Sequence, residues 1–141
     1  MASPTEAKVP EPAGQERVPT AGRPQVLVVD DDPGVQLTLA RALARFGYEV
    51  FLAGSGTDAL AHLVHQPDIV AVLSDVDMAP MNGVELARQV QHLRAGMPLL
   101  FLTSDPNIIN LRHQPQVGVL TKPIDLDDLQ AAIETVVSAC R

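Results

Sequence analysis

The chain has 141 residues, of which 46% are hydrophobic and 19% are charged, and its formal net charge is −7. A chain of this length and composition forms one globular domain with a core of its own. The acidic balance argues against direct binding to nucleic acid, because binding to a phosphate backbone requires clusters of lysine and arginine.

The sequence shows no sign of export or of membrane insertion. No apolar run reaches the roughly 18 residues that a membrane-spanning helix needs. The N-terminus lacks the basic start and the apolar core of a secretory signal. The single cysteine, Cys140, has no partner for a disulfide within the chain. We therefore expect a reducing, cytoplasmic setting and no contact with a membrane.

Residues 1–24 differ in composition from the rest of the chain. They include five prolines and almost no large apolar side chain. Such a segment buries too little surface to offset the entropy lost on ordering it. We predict a disordered tail at 1–24, with a docking peptide as the alternative, and one folded domain at 25–141.

From residue 25 onward, short apolar runs alternate with amphipathic segments. The predicted elements in chain order are a strand at 26–29, a helix at 33–46, a strand at 49–53, a helix at 57–66, a strand at 69–74, a helix at 83–92, a strand at 99–103, a short helix within 106–115, a strand at 117–121 and a helix at 126–139. Asp32 and Pro33 suit the N-cap and the first position of the first helix, and Gly47 suits its end.

The strands are apolar throughout, which is typical of a parallel sheet covered on both faces. Five strand–helix units predict an α/β, flavodoxin-like doubly wound fold with strand order 2-1-3-4-5 and helices on both faces. Pro106 and Pro115 limit the fourth of the five predicted helices to about two turns, since proline is tolerated only near helix ends. In this fold class, ligands bind outside the carboxyl ends of the strands, where the strand order reverses.

Polar residues follow the predicted strands at that edge of the sheet. They are Asp30, Asp31 and Asp32 after strand one, Asp75 and Asp77 after strand three, Thr103 at the end of strand four and Lys122 after strand five. Carboxylates in one small pocket repel each other unless a hard cation lies among them, and Mg²⁺ suits such a site. A nearby ammonium and a hydroxyl can then contact a phosphoryl group, so the pattern favours phosphoryl transfer.

Each of these residues also has an ordinary alternative role. Aspartates cap helices and occupy turns, and a threonine can simply end a strand. Asp32 in particular suits a helix cap. The histidines show no shared face, and we expect them to be surface residues without a chemical role; they are His62, His65, His92 and His113.

The four motifs, in this order, resemble the receiver domain of response regulators. They are VVDDDP at 28–33, SDVDM at 74–78, LTS at 102–104 and TKP at 121–123. The resemblance covers about 25–139. It implies a Mg²⁺-dependent module that takes a phosphoryl group from a histidine kinase or a histidine phosphotransfer protein onto one aspartate.

The resemblance also implies a role for each matching residue. Asp75 would be the phosphoacceptor, and Thr103 and Lys122 would contact the oxygens of the phosphoryl group. Thr103 would move toward that group on activation. The implied Mg²⁺ ligands are Asp30 through a water molecule, Asp31, Asp75 and the backbone carbonyl of Asp77.

The sequence departs from the receiver pattern on the face that receivers use for output. Val119 occupies the place where receivers usually carry an aromatic switch residue, and the fourth predicted helix is short. These departures favour a second hypothesis, a pseudo-receiver that binds proteins without being phosphorylated. The third hypothesis is a phosphotransferase like the haloacid dehalogenases. It is disfavoured because the paired aspartates follow strand three and no segment is long enough for a cap domain.

The sequence leaves the biological context open. We expect either a stand-alone regulator that acts by protein contact or a receiver cut from a longer protein. The output partner is unknown, and a homodimer remains an alternative.

Overall fold

The computed structural model describes residues 22–78, 81–105 and 116–138. Its elements are β1 (Gln25–Val29), α1 (Pro33–Arg45), β2 (Glu49–Ala53), α2 (Gly56–His65), β3 (Ile69–Asp75), α3 (Gly83–Leu93), β4 (Leu99–Thr103), β5 (Val117–Thr121) and α4 (Leu126–Ser138). The short helix predicted within 106–115 lies outside the described residues, as do residues 1–21 of the predicted tail. The label α4 therefore belongs to the last predicted helix.

The five strands form one sheet in the order β2-β1-β3-β4-β5, and every neighbouring pair is parallel. This confirms the predicted doubly wound topology. The order reverses at β1, which lies between β2 and β3. Val29 and Ser74 are partners in the register between β1 and β3. The residues that follow these two in the chain, Asp30 and Asp75, therefore lie at the same edge of the sheet.

Side chains alternate between the two faces of the sheet, and each face has its own core. One core packs the sheet against α1 and α4, and it includes Val26, Val28, Ala71, Leu73, Leu39, Leu43, Leu129 and Ile133. The other packs the sheet against α2 and α3, and it includes Leu27, Val29, Val72, Ala59, Leu63, Leu86 and Val90. Asp30 and Asp75 come two residues after Val28 and Leu73. Both side chains therefore leave the backbone on the face of the sheet that packs against α1 and α4.

The helix ends follow the local sequence signals. The Asp32 side chain caps α1 by accepting a hydrogen bond from the Gly34 N–H at 2.8 Å, and Pro33 is the first helical residue. Gly47 has a φ of +99°, a left-handed conformation that favours glycine. None of the helices in the described ranges is long and apolar enough to cross a membrane.

One sequence prediction in this region is wrong. His62 was expected on the surface, but it is fully buried between α2 and β2. Its Nε2 atom lies 2.8 Å from the carbonyl oxygen of Leu52, and its ring centroid lies 5.7 Å from that of Phe51. Position 62 shares the inward face of α2 with Ala59 and Leu63, and this helical spacing decides its burial. His92 is exposed as expected, His65 is half-buried and His113 lies outside the described residues.

Candidate functional site

Three carboxylates converge at the carboxyl ends of β1 and β3. One oxygen from each of Asp30, Asp31 and Asp75 lies within 4.8 Å of the others. Asp30 is 1% exposed and Asp75 is 5% exposed, whereas Asp31 is exposed to solvent. The cluster therefore has a buried floor and one open side.

Asp30 is held by the backbone around it. Its N–H donates to the Ala53 carbonyl at 3.1 Å, and its Oδ1 accepts a hydrogen bond from the Asp32 N–H at 2.9 Å. Burial raises the pKa of the Asp30 carboxyl, and the Asp32 N–H and the Lys122 ammonium offset this only in part. Burial thus disfavours the charged form of Asp30.

Asp75 ends β3 with its carboxylate pointing into the same space. Its Oδ1 accepts a hydrogen bond from the Asp77 N–H at 3.2 Å and lies 3.2 Å from Lys122 Nζ. Behind it, the Gly83 N–H at the start of α3 donates to the Val76 carbonyl at 3.0 Å. A Cβ atom at Gly83 would collide with the Asp75 carbonyl oxygen and would lie 2.9 Å from Val76 Cα. Glycine therefore lets α3 begin directly against the phosphoacceptor candidate.

Lys122 supplies the cation of the site. Its Nζ atom lies 3.2 Å from Asp75 Oδ1 and 3.6 Å from Asp30 Oδ2. Its backbone N–H donates to the Thr103 carbonyl at 2.7 Å, which ties it to the end of β4. Burial lowers the pKa of the Lys122 ammonium, but attraction to Asp30 and Asp75 outweighs this and leaves the pKa raised. Lys122 is therefore charged at neutral pH.

Thr103 lies at the same edge of the sheet, but its hydroxyl is engaged elsewhere. The side chain is fully buried, and Oγ1 accepts from the Asp105 N–H at 3.1 Å and donates to the Asp105 carbonyl at 3.2 Å. A contact between this hydroxyl and a group on Asp75 therefore requires it to leave the Asp105 backbone.

The last two predicted site residues lie at the margins. Asp77 is exposed, and its N–H rather than its carbonyl is the group that contacts Asp75. Its predicted role as a carbonyl ligand stays a prediction. Val119 is half-buried on β5 and is the register partner of Phe101 on β4. The aromatic ring in this part of the sheet therefore belongs to β4.

The donors present fit a small hard cation such as Mg²⁺. Three carboxylates cluster together, two of them beside the Lys122 ammonium, and Mg²⁺ prefers oxygen ligands. Asp30 Oδ2 is buried without a hydrogen-bond partner among the described residues, its nearest cation being the Lys122 ammonium at 3.6 Å. A bound cation, directly or through its water, would satisfy this oxygen.

Taken together, the parallel order of the sheet and the acidic cluster at its switch point define a doubly wound α/β protein with a cation-type site. Residues 26–134 match the family described as "Response regulator receiver domain". The chain belongs to this family, which confirms the family inferred from the four motifs.

Two relatives and one solved structure, all from bacteria, illustrate the similarity. The chain is 38% identical over 112 residues to the "Transcriptional regulatory protein GlrR" of Escherichia coli (strain K12), covering 77% of this chain and 25% of that protein. It is 26% identical over 114 residues to "Sporulation initiation phosphotransferase F" of Bacillus subtilis (strain 168), covering 78% and 90%. A response regulator receiver protein from Pseudomonas putida superposes with a TM-score of 0.73 at 28% identity, covering 82% and 98%. The chain thus spans about a quarter of the length of the transcriptional regulators that it matches.

Proposed function

We propose that this chain is the phosphoacceptor switch of a two-component phosphorelay. It receives a phosphoryl group on Asp75 from a histidine kinase or a histidine phosphotransfer protein, with Mg²⁺ as cofactor, and it signals through protein–protein contact. The observation that carries the proposal is one arrangement: oxygens of Asp30, Asp31 and Asp75 within 4.8 Å of each other, with Lys122 Nζ 3.2 Å from Asp75.

The metal site would use the cluster and one backbone group. Asp31 and Asp75 would bind Mg²⁺ directly, Asp30 would act mainly through a bound water, and Asp77 would contribute its carbonyl. Bound Mg²⁺ supplies charge neutralisation for the carboxylates and the phosphoryl oxygens. The remaining work falls to side chains of the protein.

The chemical step needs no general base, because the nucleophile is already an anion. A carboxylate oxygen of Asp75 forms a bond to phosphorus while the P–N bond to the donor histidine breaks, and the electron pair returns to the imidazole. Lys122 holds one phosphoryl oxygen, and the Thr103 hydroxyl leaves the Asp105 backbone to donate to another. These contacts position the group and stabilise its charge. Hydrolysis of the aspartyl phosphate then returns the protein to its starting state.

The wider setting follows from the same proposal. The protein would act in the cytoplasm of a bacterium and would catalyse only its own phosphorylation and dephosphorylation. We propose an output partner that is a protein, without direct nucleic-acid contact by the described domain. A homodimer is one form that this output could take.

Phosphorylation by a small donor tests the proposal. The purified protein is mixed with Mg²⁺ and acetyl phosphate, and its intact mass is recorded. We expect a gain of one phosphoryl group that is absent without Mg²⁺ and absent in Asp75→Asn. Asp68→Asn is the matched control, since Asp68 is an exposed aspartate just before the opposite end of β3.

A negative result would favour the second candidate function. The pseudo-receiver is supported by Val119, the register partner of Phe101, because β5 lacks the usual aromatic residue at this position. If the wild-type protein gained no mass with acetyl phosphate or with a kinase, and bound no beryllofluoride, the pseudo-receiver would replace the phosphoacceptor.

A further inference from the structure

A glutamine in the first turns of α1 reaches the ends of two strands. The Gln36 N–H belongs to the start of the helix and donates to the Asp32 carbonyl at 3.0 Å. The Gln36 side-chain amide points out of the helix instead. Its Nε2 donates to the Asp30 carbonyl and lies 3.1 Å from the Ala53 carbonyl oxygen. One side chain thus links α1 with the carboxyl ends of β1 and β2.

The Gln36 side-chain amide helps to hold the backbone of Asp30 in place. The N–H of Asp30 is held by the Ala53 carbonyl and its carboxylate by the Asp32 N–H. Gln36 holds the third polar group, the Asp30 carbonyl. That carbonyl lies in the rigid peptide plane that joins residues 30 and 31. Holding its oxygen therefore fixes the direction in which the chain enters Asp31.

Asp31 is the part of the cluster that needs such help. Its side chain is exposed, so packing does not set its position, whereas Asp30 and Asp75 are buried. A glutamine is suited to the task because it is a neutral donor with a long reach. Glutamate could not donate, and lysine or arginine would bring a positive charge beside a cation site.

We infer that Gln36 is a positioning residue for the cation site, acting through the Asp30 carbonyl to place Asp31. This inference rests on the proposed function, since it assumes that the cluster binds Mg²⁺. Groups that orient metal ligands without touching the metal typically change metal affinity by about 10- to 100-fold when removed. A clamp on the backbone is expected near the lower end of that range.

The test is the Mg²⁺ affinity of Gln36→Met. This change removes the donor and keeps a side chain of similar length. Calorimetric titration is the suitable method, because the chain has no tryptophan to report binding. We expect the Kd for Mg²⁺ to rise about tenfold. The phosphorylation rate at saturating Mg²⁺ should stay within about twofold of wild type, because the loss lies in binding.

Gln91→Met is the matched control. Gln91 also donates its Nε2 to a backbone carbonyl, that of Met97 at 3.1 Å, but near the C-terminal end of α3. It should leave the Mg²⁺ affinity unchanged. Amide hydrogen exchange provides a readout without metal: the Asp30 N–H, which donates to the Ala53 carbonyl that Gln36 also contacts, should exchange faster in Gln36→Met and not in Gln91→Met. If Gln36→Met does not fold, Gln36→Asn, which keeps the amide but shortens its reach, takes its place.

The outcomes separate the two levels of the proposal. A wild-type protein that binds no Mg²⁺ would overturn the proposed function itself. A wild-type protein that binds Mg²⁺, with a Gln36 variant of equal affinity, would overturn only the positioning role. A lower melting temperature with an unchanged Kd would show that Gln36 is structural alone, and it would overturn the inference as well.

Discussion

Each end of the sheet holds a charged side chain that is at least half-buried, but the hydrogen-bond partners of the two charges differ. At the amino-terminal end of β3, the Arg94 guanidinium donates to the carbonyls of Leu63, Gln66 and Ile69 at 2.6, 2.7 and 2.9 Å. Two of these carbonyls belong to the C-terminal end of α2, where free acceptors and the helix dipole favour a cation. At the carboxyl-terminal end, Asp30 Oδ2 lies 3.6 Å from the Lys122 ammonium and has no hydrogen-bond partner within 22–78, 81–105 and 116–138.

Burial acts in the same sense at both ends. It lowers the pKa of Arg94 and raises the pKa of Asp30, because it disfavours the charged form of each. Three carbonyls compensate Arg94, whereas the Lys122 ammonium beside Asp30 is opposed by two like-charged neighbours, Asp31 and Asp75. The comparison teaches that a charge with complete partners stabilises the fold, whereas a buried charge with incomplete partners marks a candidate ligand site.

Arg94→Met removes the hydrogen bonds to the three carbonyls at the amino-terminal end of β3. We expect it to have the largest effect on stability. The substitution leaves three backbone carbonyls without their donor, so we expect the free energy of unfolding to fall by about 3 kcal/mol. Arg88→Met, within α3, is the control because Arg88 is exposed and its guanidinium pairs with Glu85 on the same helix. Chemical denaturation of both variants measures the difference. Equal losses of unfolding free energy in the two variants would show that the hydrogen bonds from Arg94 to the three carbonyls do not stabilise the fold.

Gly83→Ala disturbs packing at the carboxyl-terminal end of the sheet, beside the candidate site. The new Cβ would collide with two backbone atoms, the Asp75 carbonyl oxygen and Val76 Cα, and backbone atoms cannot move aside as a flexible side chain can. We expect a loss of about 2 kcal/mol in unfolding free energy and slower phosphorylation, because Asp75 must shift. The control is Gly54→Ala, where the nearest atom would lie at an ordinary 3.7 Å. Full activity and stability in Gly83→Ala would mean that α3 can move away from β3 freely.

Asp30→Asn should have the smallest effect, with the opposite sign. Without Mg²⁺ at pH 7, we expect it to raise the unfolding free energy by about 1 kcal/mol, since asparagine keeps the Asp32 hydrogen bond and loses the charge. The folded protein binds the Asp30 proton more tightly than the unfolded chain does. Wild-type stability therefore falls as pH rises from the ordinary pKa of 3.8 through the raised value.

The pH dependence sharpens this prediction. The advantage of Asp30→Asn should be absent below that window and complete above it, and saturating Mg²⁺ should reverse it. Denaturation curves of both proteins across the acid range measure the effect. An asparagine variant that is less stable than wild type at pH 7 without metal would contradict the account.

The sequence was sufficient to predict the fold and the meeting of the main polar residues. Apolar strands that alternate with helices restrict the topology to a parallel doubly wound sheet. In that topology, the residues at the carboxyl ends of β1, β3 and β5 share one edge, so the sequence alone predicts that Asp30, Asp75 and Lys122 lie together. The cap at Asp32 was also predictable, because capping is a local property.

The supporting residues could not be predicted, because their roles depend on tertiary neighbours. In the sequence, Gly83 looks like an ordinary glycine at the start of a helix. The need for glycine there becomes evident only from the close approach of α3 to Asp75. Gln36 and Arg94 bind carbonyls of other elements, which no local pattern reveals. His62 is different: its spacing from Ala59 and Leu63 on α2 was visible in the sequence, and the polarity of its side chain obscured it.

The most direct test of the central claim is thermal unfolding in the presence of Mg²⁺ and beryllofluoride, which takes the place of a phosphoryl group on a carboxylate. At about 100 times its Kd, Mg²⁺ should stabilise the wild-type protein by about 2.7 kcal/mol. Beryllofluoride should add a further rise in melting temperature in the wild type and in Asp68→Asn, but not in Asp75→Asn. An unchanged melting temperature with Mg²⁺, or an equal beryllofluoride effect in Asp75→Asn, would contradict the assignment of this cluster as a phosphoacceptor site.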